Sequence, residues 1–239
     1  MLLKTEIRRG RRLAGAAAVG LGAAVLLAWP GGTWLQGRER WVFPRANEAT
    51  AGRRPEAVYL VAGERDQDRR VSAVASYLKA VAEAPGEGGH AADAIEVLTG
   101  HERAVGPYSH ARHRNLQVGE WAVSKLGLLG VEAALVPGRF NGTDGEMAAL
   151  ALFLRERPEI RTLALCTSAY HVRRAVWRLR RHLDRDLDIV VVCATPRWSD
   201  RAPWTVLAEL AKMARDALGL SRAPGLSRGA VRYPDDGTP

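Results

Sequence analysis

The segment Thr162–Ala175, TLALCTSAYHVRRA, gathers small hydroxyls, one imidazole and guanidinium groups into a few positions. Thr162–Cys166 is an apolar run of strand length without polar alternation, the pattern of a strand buried on both faces of a parallel sheet. It ends in Thr167, Ser168, Tyr170, His171, Arg173 and Arg174, after which Ala175–Leu183 follows a helical pattern. Hydroxyls, Arg residues and a helix start suit a phosphate or another oxyanion. His171 has the chemistry of a general acid, a base or a nucleophile toward a phosphoryl group. It is equally compatible with hydrogen bonding to a ligand. No Ser sits in a nucleophile elbow, and no paired carboxylates or Walker motif occur.

Other polar residues fall at the ends of apolar runs. Ala57–Gly63 (AVYLVAG) reads as the first strand, with Gly63 at its end and the helix Arg69–Val81 after it. That helix pattern opens with two adjacent guanidinium residues, Arg69 and Arg70. Ala94–Gly100 (AIEVLTG) is the second strand and ends in Thr99 and Gly100. A polar loop over His101–Arg114 and a helix over Leu116–Leu129 follow. Glu132–Gly138 is the third strand, leading through Asn141, Thr143 and Glu146 into the helix Met147–Arg155. Thr143 with Glu146 three residues on also has the form of a capping box. Thr162–Cys166 is the fourth strand, Asp188–Ala194 the fifth, and Trp204–Leu218 the closing helix. Strands separated by helix-length segments define an α/β fold: a Rossmann-like, mostly parallel five-stranded sheet with helices on both faces. In such sheets ligands bind at the carboxyl edge of the strands, which is where these polar residues fall.

Outside this domain, expected over 56–220, the chain changes character. Residues 1–12 are basic. Leu13–Trp29 is seventeen residues without a charge, and with the following residues gives an expected transmembrane anchor over 13–35. The basic end is then cytoplasmic and the domain extracytoplasmic, with cleavage as a signal peptide the second reading. Residues 36–55 read as a linker and 221–239 as a disordered tail. The formal charge of +9 is concentrated partly at the N-terminus and shows no basic stripe interleaved with aromatics, so nucleic acid is not an expected partner. Cys166 and Cys193 read as free thiols in strands. His101, His110 and His113 lack metal-ligand spacing, so no metal is expected, and no cofactor is identified.

The run Thr167–Ala175 resembles the TSxYHxxRA signature of the YdcF/SanA/ElyC-like family of bacterial envelope proteins. Weaker matches are Arg69 with Ala73 and Tyr77 (Arg70 being the alternative register), Thr99–Gly100, Asn141 with Thr143 and Ala148, and Glu209 with Lys212. Where the family has Asn, this chain has Glu146, and a carboxylate cannot donate a hydrogen bond as an amide does unless it is protonated. The resemblance spans roughly Pro55–Leu220. It implies a membrane-anchored protein of the bacterial inner membrane, linked to envelope or peptidoglycan integrity. His171 and Glu146 are then the catalytic candidates. Gly63, Arg69, Thr99, Gly100, Asn141, Thr143, Thr167, Ser168, Tyr170 and Arg174 are the candidates for binding a phosphorylated small molecule or lipid-linked precursor. The alternative is a non-catalytic module that senses such a ligand.

Overall fold

The computed structural model describes residues 54–63, 66–83, 95–102, 105–140, 142–194 and 203–217. The expected anchor at 13–35, the linker up to residue 53, the tail and Asn141 lie outside the described residues. Among the described residues no helix is long and apolar enough to cross a membrane. The elements run β1 (Ala57–Leu60), α1 (Gln67–Glu83), β2 (Glu96–Glu102), β3 (Val105–Ser109), β4 (Arg114–Gln117), α2 (Val118–Leu128) and β5 (Ala134–Phe140). They continue as α3 (Gly142–Arg155), β6 (Thr162–Ser168), a 3-10 turn at Ala169–His171, α4 (Val172–His182), β7 (Asp188–Ala194) and α5 (Pro203–Ala217).

Five strands form one sheet in the order β5-β2-β1-β6-β7, and every neighbouring pair is parallel. The order reverses between β1 and β6, the strands that meet at the centre. Successive side chains of β1 go to opposite faces, as strand geometry requires. Tyr59 and Val61 pack with Leu150 and Leu154 of α3 and Leu179 of α4. Val58 and Leu60 pack with Val71 and Val74 of α1 and Leu126 of α2. A sheet covered on both sides explains why β6 is an unbroken buried run. The α/β architecture with a five-stranded parallel sheet and helices on both faces is therefore the one expected from the sequence.

Three segments differ from that expectation. The 101–114 region is not a loop throughout: β2 continues to Glu102, and an antiparallel hairpin, β3 with β4, follows. Its residues are mostly exposed or half-exposed and do not alternate, so no periodicity marks it; Leu116 alone is buried on β4. His113 makes the turn with φ of 49°. Because Leu116 and Gln117 belong to β4, α2 begins at Val118, where Glu120 accepts the Gln117 amide at 2.9 Å.

Helix α3 begins at Gly142 (φ 68°) rather than Met147. The Gly-Thr-Asp-Gly start is poor in helix propensity, but Asp144 is held by Arg178 of α4 at 3.1 Å and by His182 at 3.3 Å. Beyond the other end of α3 the Arg185 guanidinium donates to the carbonyls of Leu154, Arg157 and Ile160 at 2.9–3.1 Å and ties the turn after the helix together. Helix α4 begins at Val172, three residues before the expected start, because the 3-10 turn carries the chain directly from β6 into it.

Candidate functional site

The strand order reverses between β1 and β6, and the region beyond their carboxyl ends is the crevice position at which doubly wound sheets bind ligands. Arg70 spans it. Its Nη1 donates to the Val61 and Ala62 carbonyls, both at 2.9 Å, and its Nε donates to Ser168 Oγ at 3.1 Å. Val61 and Ala62 continue β1, while Ser168 ends β6, so one buried guanidinium joins the two strand ends. It lies over Gly63, where an added Cβ would fall 2.3 Å from Nη1. The glycine at the end of β1 is thus required by this close approach.

Asp66 completes the group. Ser168 Oγ donates to its Oδ2 at 3.0 Å and Tyr170 Oη donates to the same oxygen at 2.8 Å. Arg69 forms an ion pair with Oδ1. Burial pushes the Asp66 carboxyl upward, but the hydrogen bonds from Tyr170, Arg69 and Ser168 outweigh it and hold the group below its usual value. Arg69 thus meets this group at Asp66, and Arg70 is the guanidinium that joins the two strand ends. Both registers named in the sequence, Arg69 and Arg70, therefore reach this polar group.

On the other face of β1, Glu146 is 2% exposed. Its Oε1 accepts the Ala62 amide at 2.6 Å and the Tyr59 hydroxyl at 3.1 Å. Glu146 is thus a tie from α3 to the end of β1; no capping box forms, because α3 starts before Thr143. Burial raises its carboxyl to about 8, the Ala62 amide opposes the rise and the Glu102 charge adds to it. At neutral pH the group is mostly protonated, which gives it the donor that an amide would have.

A second chain of bonds crosses α3, α4 and α5. Thr143 Oγ1 lies 3.3 Å from His171 Nε2, and Arg174 Nη2 lies 2.9 Å from His171 Nδ1. Arg174 Nε donates to Glu209 Oε2 at 2.8 Å, and Lys212 Nζ donates to Glu209 Oε1 at 2.6 Å. Burial lowers His171 to about 4; the Glu209 carboxylate opposes this, and the Arg174 and Arg70 charges reinforce it. The imidazole is neutral at pH 7. Burial pushes Glu209 up, yet the nearby His171 ring, the Lys212 bond and the Arg174 charge bring it down to about 2.

The expected residues fall into three groups. Gly63, Ser168, Tyr170 and, through Asp66, Arg69 meet at the crevice; Thr143, His171 and Arg174 form the adjacent chain; Glu146 braces the loop from beneath. Thr99 and Gly100 serve packing instead. The Thr99 hydroxyl donates to the Leu60 carbonyl at 3.1 Å, and a Cβ on Gly100 would meet Phe140 and the Tyr59 hydroxyl. Thr167 is fully buried and its Oγ1 has no hydrogen-bond partner among the described residues.

Asp66 is the residue that sequence reasoning missed. It stands in the polar stretch between the first apolar run and the helix pattern that starts at Arg69, where no spacing singles it out. Cys166 and Cys193 are thiols rather than a disulfide, and burial raises them to about 12 and 11. His110 and His113 are exposed on the hairpin. Among the described residues no group of three or more His, Cys, Asp or Glu could hold a metal ion.

Fold and crevice together define a Rossmann-like α/β protein whose polar groups converge at the carboxyl edge of a parallel sheet. No family model matches the chain, and no curated protein matches it. Among solved structures it is similar to a universal stress protein family protein of Arabidopsis thaliana crystallised with AMP bound. The identity is 12%, the TM-score 0.36, and the match covers 62% of this chain and 99% of that one.

Proposed function

We propose that this chain binds a phosphorylated ligand at the carboxyl edge of its sheet, as a membrane-anchored member of the YdcF/SanA/ElyC-like envelope proteins. The ligand class is a phosphorylated cell-envelope or peptidoglycan intermediate of polyprenyl-phosphate type. The observation that carries the reading is the crevice at the strand reversal, where Arg70, Ser168, Tyr170 and Asp66 converge. Helices α1, α3 and α4 begin at the same edge, and helix N-termini favour an anion.

A binding role without turnover is favoured over catalysis by one feature. Both nitrogens of His171 are engaged, Nδ1 by Arg174 and Nε2 by Thr143, so the ring offers no free lone pair for attack or proton abstraction. The protein then acts as a ligand-sensing or interaction module for envelope integrity.

Thermal unfolding of the full chain with nucleotides, sugar phosphates, adenosylmethionine and a short polyprenyl phosphate tests this. A ligand at a hundred times its dissociation constant adds about 2.7 kcal/mol of stability. The shift is expected with a phosphorylated member and is lost in Arg174→Ala. Absence of any shift across the panel refutes the anion site. Release of inorganic phosphate that His171→Ala abolishes would restore the catalytic reading.

A further inference from the structure

The chain of bonds from Glu209 to Thr143 has a direction. A guanidinium carries donors only, so at the 2.9 Å contact Arg174 donates and His171 Nδ1 accepts. A neutral imidazole with an accepting Nδ1 carries its proton on Nε2, 3.3 Å from Thr143 Oγ1. Thr143 therefore accepts from the ring. A hydroxyl that accepts there still has its own proton to give. The opposite tautomer would set an Nδ1 proton against the Arg174 N–H, and the nearby Glu209 oxygen, at 3.7 Å, is beyond hydrogen-bond reach. Glu209 makes the choice firm. It is 3% exposed, holds Arg174 Nε at 2.8 Å, and is itself held by Lys212 at 2.6 Å.

We propose that Glu209 is a positioning residue. Through Arg174 it fixes His171 as the Nε2-protonated imidazole, so that Thr143, at the start of α3, presents its hydroxyl as a donor and the site takes an acceptor-only ligand oxygen such as that of a phosphate. The ligand half of this proposal rests on the reading above; the tautomer half does not. Successive bonds that all donate toward the ligand strengthen one another. A residue on the closing helix thereby controls the polarity of a group on α3 that it does not touch.

The test is two-dimensional 15N NMR of the imidazole rings in the full-length chain, with the His171 signals assigned by their loss in His171→Gln. Binding of inorganic phosphate is measured in parallel by calorimetry. The wild type is expected to show a protonated Nε2 and an unprotonated Nδ1. Glu209→Gln is expected to give a mixture of tautomers and roughly tenfold weaker phosphate binding. Arg174→Lys keeps a cation for Glu209 but has no second nitrogen for the ring, and is expected to lose the single tautomer even where Glu209→Gln does not fold. Thr143→Ser is expected to bind within about twofold of wild type, and Thr143→Val to bind roughly 10- to 100-fold more weakly. A protonated Nδ1 in a wild-type chain that binds phosphate overturns the relay alone. So does an unchanged tautomer in both Glu209→Gln and Arg174→Lys. The expected tautomer in a chain that binds no phosphate overturns the ligand half, and the anion-site reading falls with it.

Discussion

Arg70 is 4% exposed and gives its donors to two backbone carbonyls and Ser168, so the crevice is built around a buried charge rather than lined by a free one. Removing it strands two buried carbonyls beyond β1. Arg70→Met is expected to cost about 3–5 kcal/mol in urea unfolding, the range for breaking a buried charged network. Arg69→Met removes one of three donors on Asp66 and should cost about 1 kcal/mol. Equal losses in the two variants would refute the assignment of Arg70 to the centre. The distinction was within reach of the sequence. Arg70 lies four residues before Val74 and so shares the apolar stripe of α1, a position a solvated Arg does not take. Asp66 offered no such signal, since only the folded chain sets Ser168 and Tyr170 against it. The Thr167–Arg174 cluster was legible because a single strand-to-helix junction holds nearly all of it. The links from Glu146 to Ala62 and from Arg174 to Glu209 join distant segments that spacing alone cannot bring together.

The elements were legible where burial leaves a pattern. Each sheet strand is an apolar run, and β7 has the bounds its seven residues Asp188–Ala194 predict. The hairpin leaves no pattern because few of its side chains are buried. Close packing of helices on the sheet is also invisible in sequence, and α2 carries a sharp case. A Cβ on Gly119 would fall 2.1 Å from the Gly100 carbonyl and 2.8 Å from a Leu135 methyl, so any side chain lifts α2 away from β2 and β5. Gly119→Ala is expected to cost roughly 1–3 kcal/mol. Gly127, in the same helix, has nothing within 4 Å of an added Cβ. Gly127→Ala should therefore stabilise by up to about 1 kcal/mol, the helix-propensity difference. Thermal unfolding of the two variants beside the wild type separates packing from propensity. A stabilising Gly119→Ala would show that α2 does not sit so close to the sheet.

Across the whole domain, two buried groups at the carboxyl edge set opposing pH responses. His171 falls from 6.5 to about 4 on folding, so between those values the unfolded chain binds the extra proton and stability rises with pH. Glu146 rises from 4.5 to about 8, so between those values the folded chain holds the extra proton and stability falls as pH rises. The two effects cancel from 4.5 to 6.5. Above that window Glu146 acts alone, at about 1.4 kcal/mol per pH unit, until its carboxyl ionises in the folded state. Below it Glu209, held at about 2, and Asp66, held below its usual value, withdraw their contributions as they protonate. The wild type is thus expected to have a stability plateau between pH 4.5 and 6.5 and to lose about 2 kcal/mol by pH 8. Glu146→Gln retains an acceptor for Ala62 and Tyr59 but does not titrate. Its stability should rise from pH 4.5 to 6.5 under His171 alone and stay level above. Urea denaturation of both proteins across this range decides the matter. A wild-type stability that holds constant from pH 6.5 to 8 would mean that Glu146 is ionised where it ties α3 to the end of β1, and the proton that makes it amide-like would be absent.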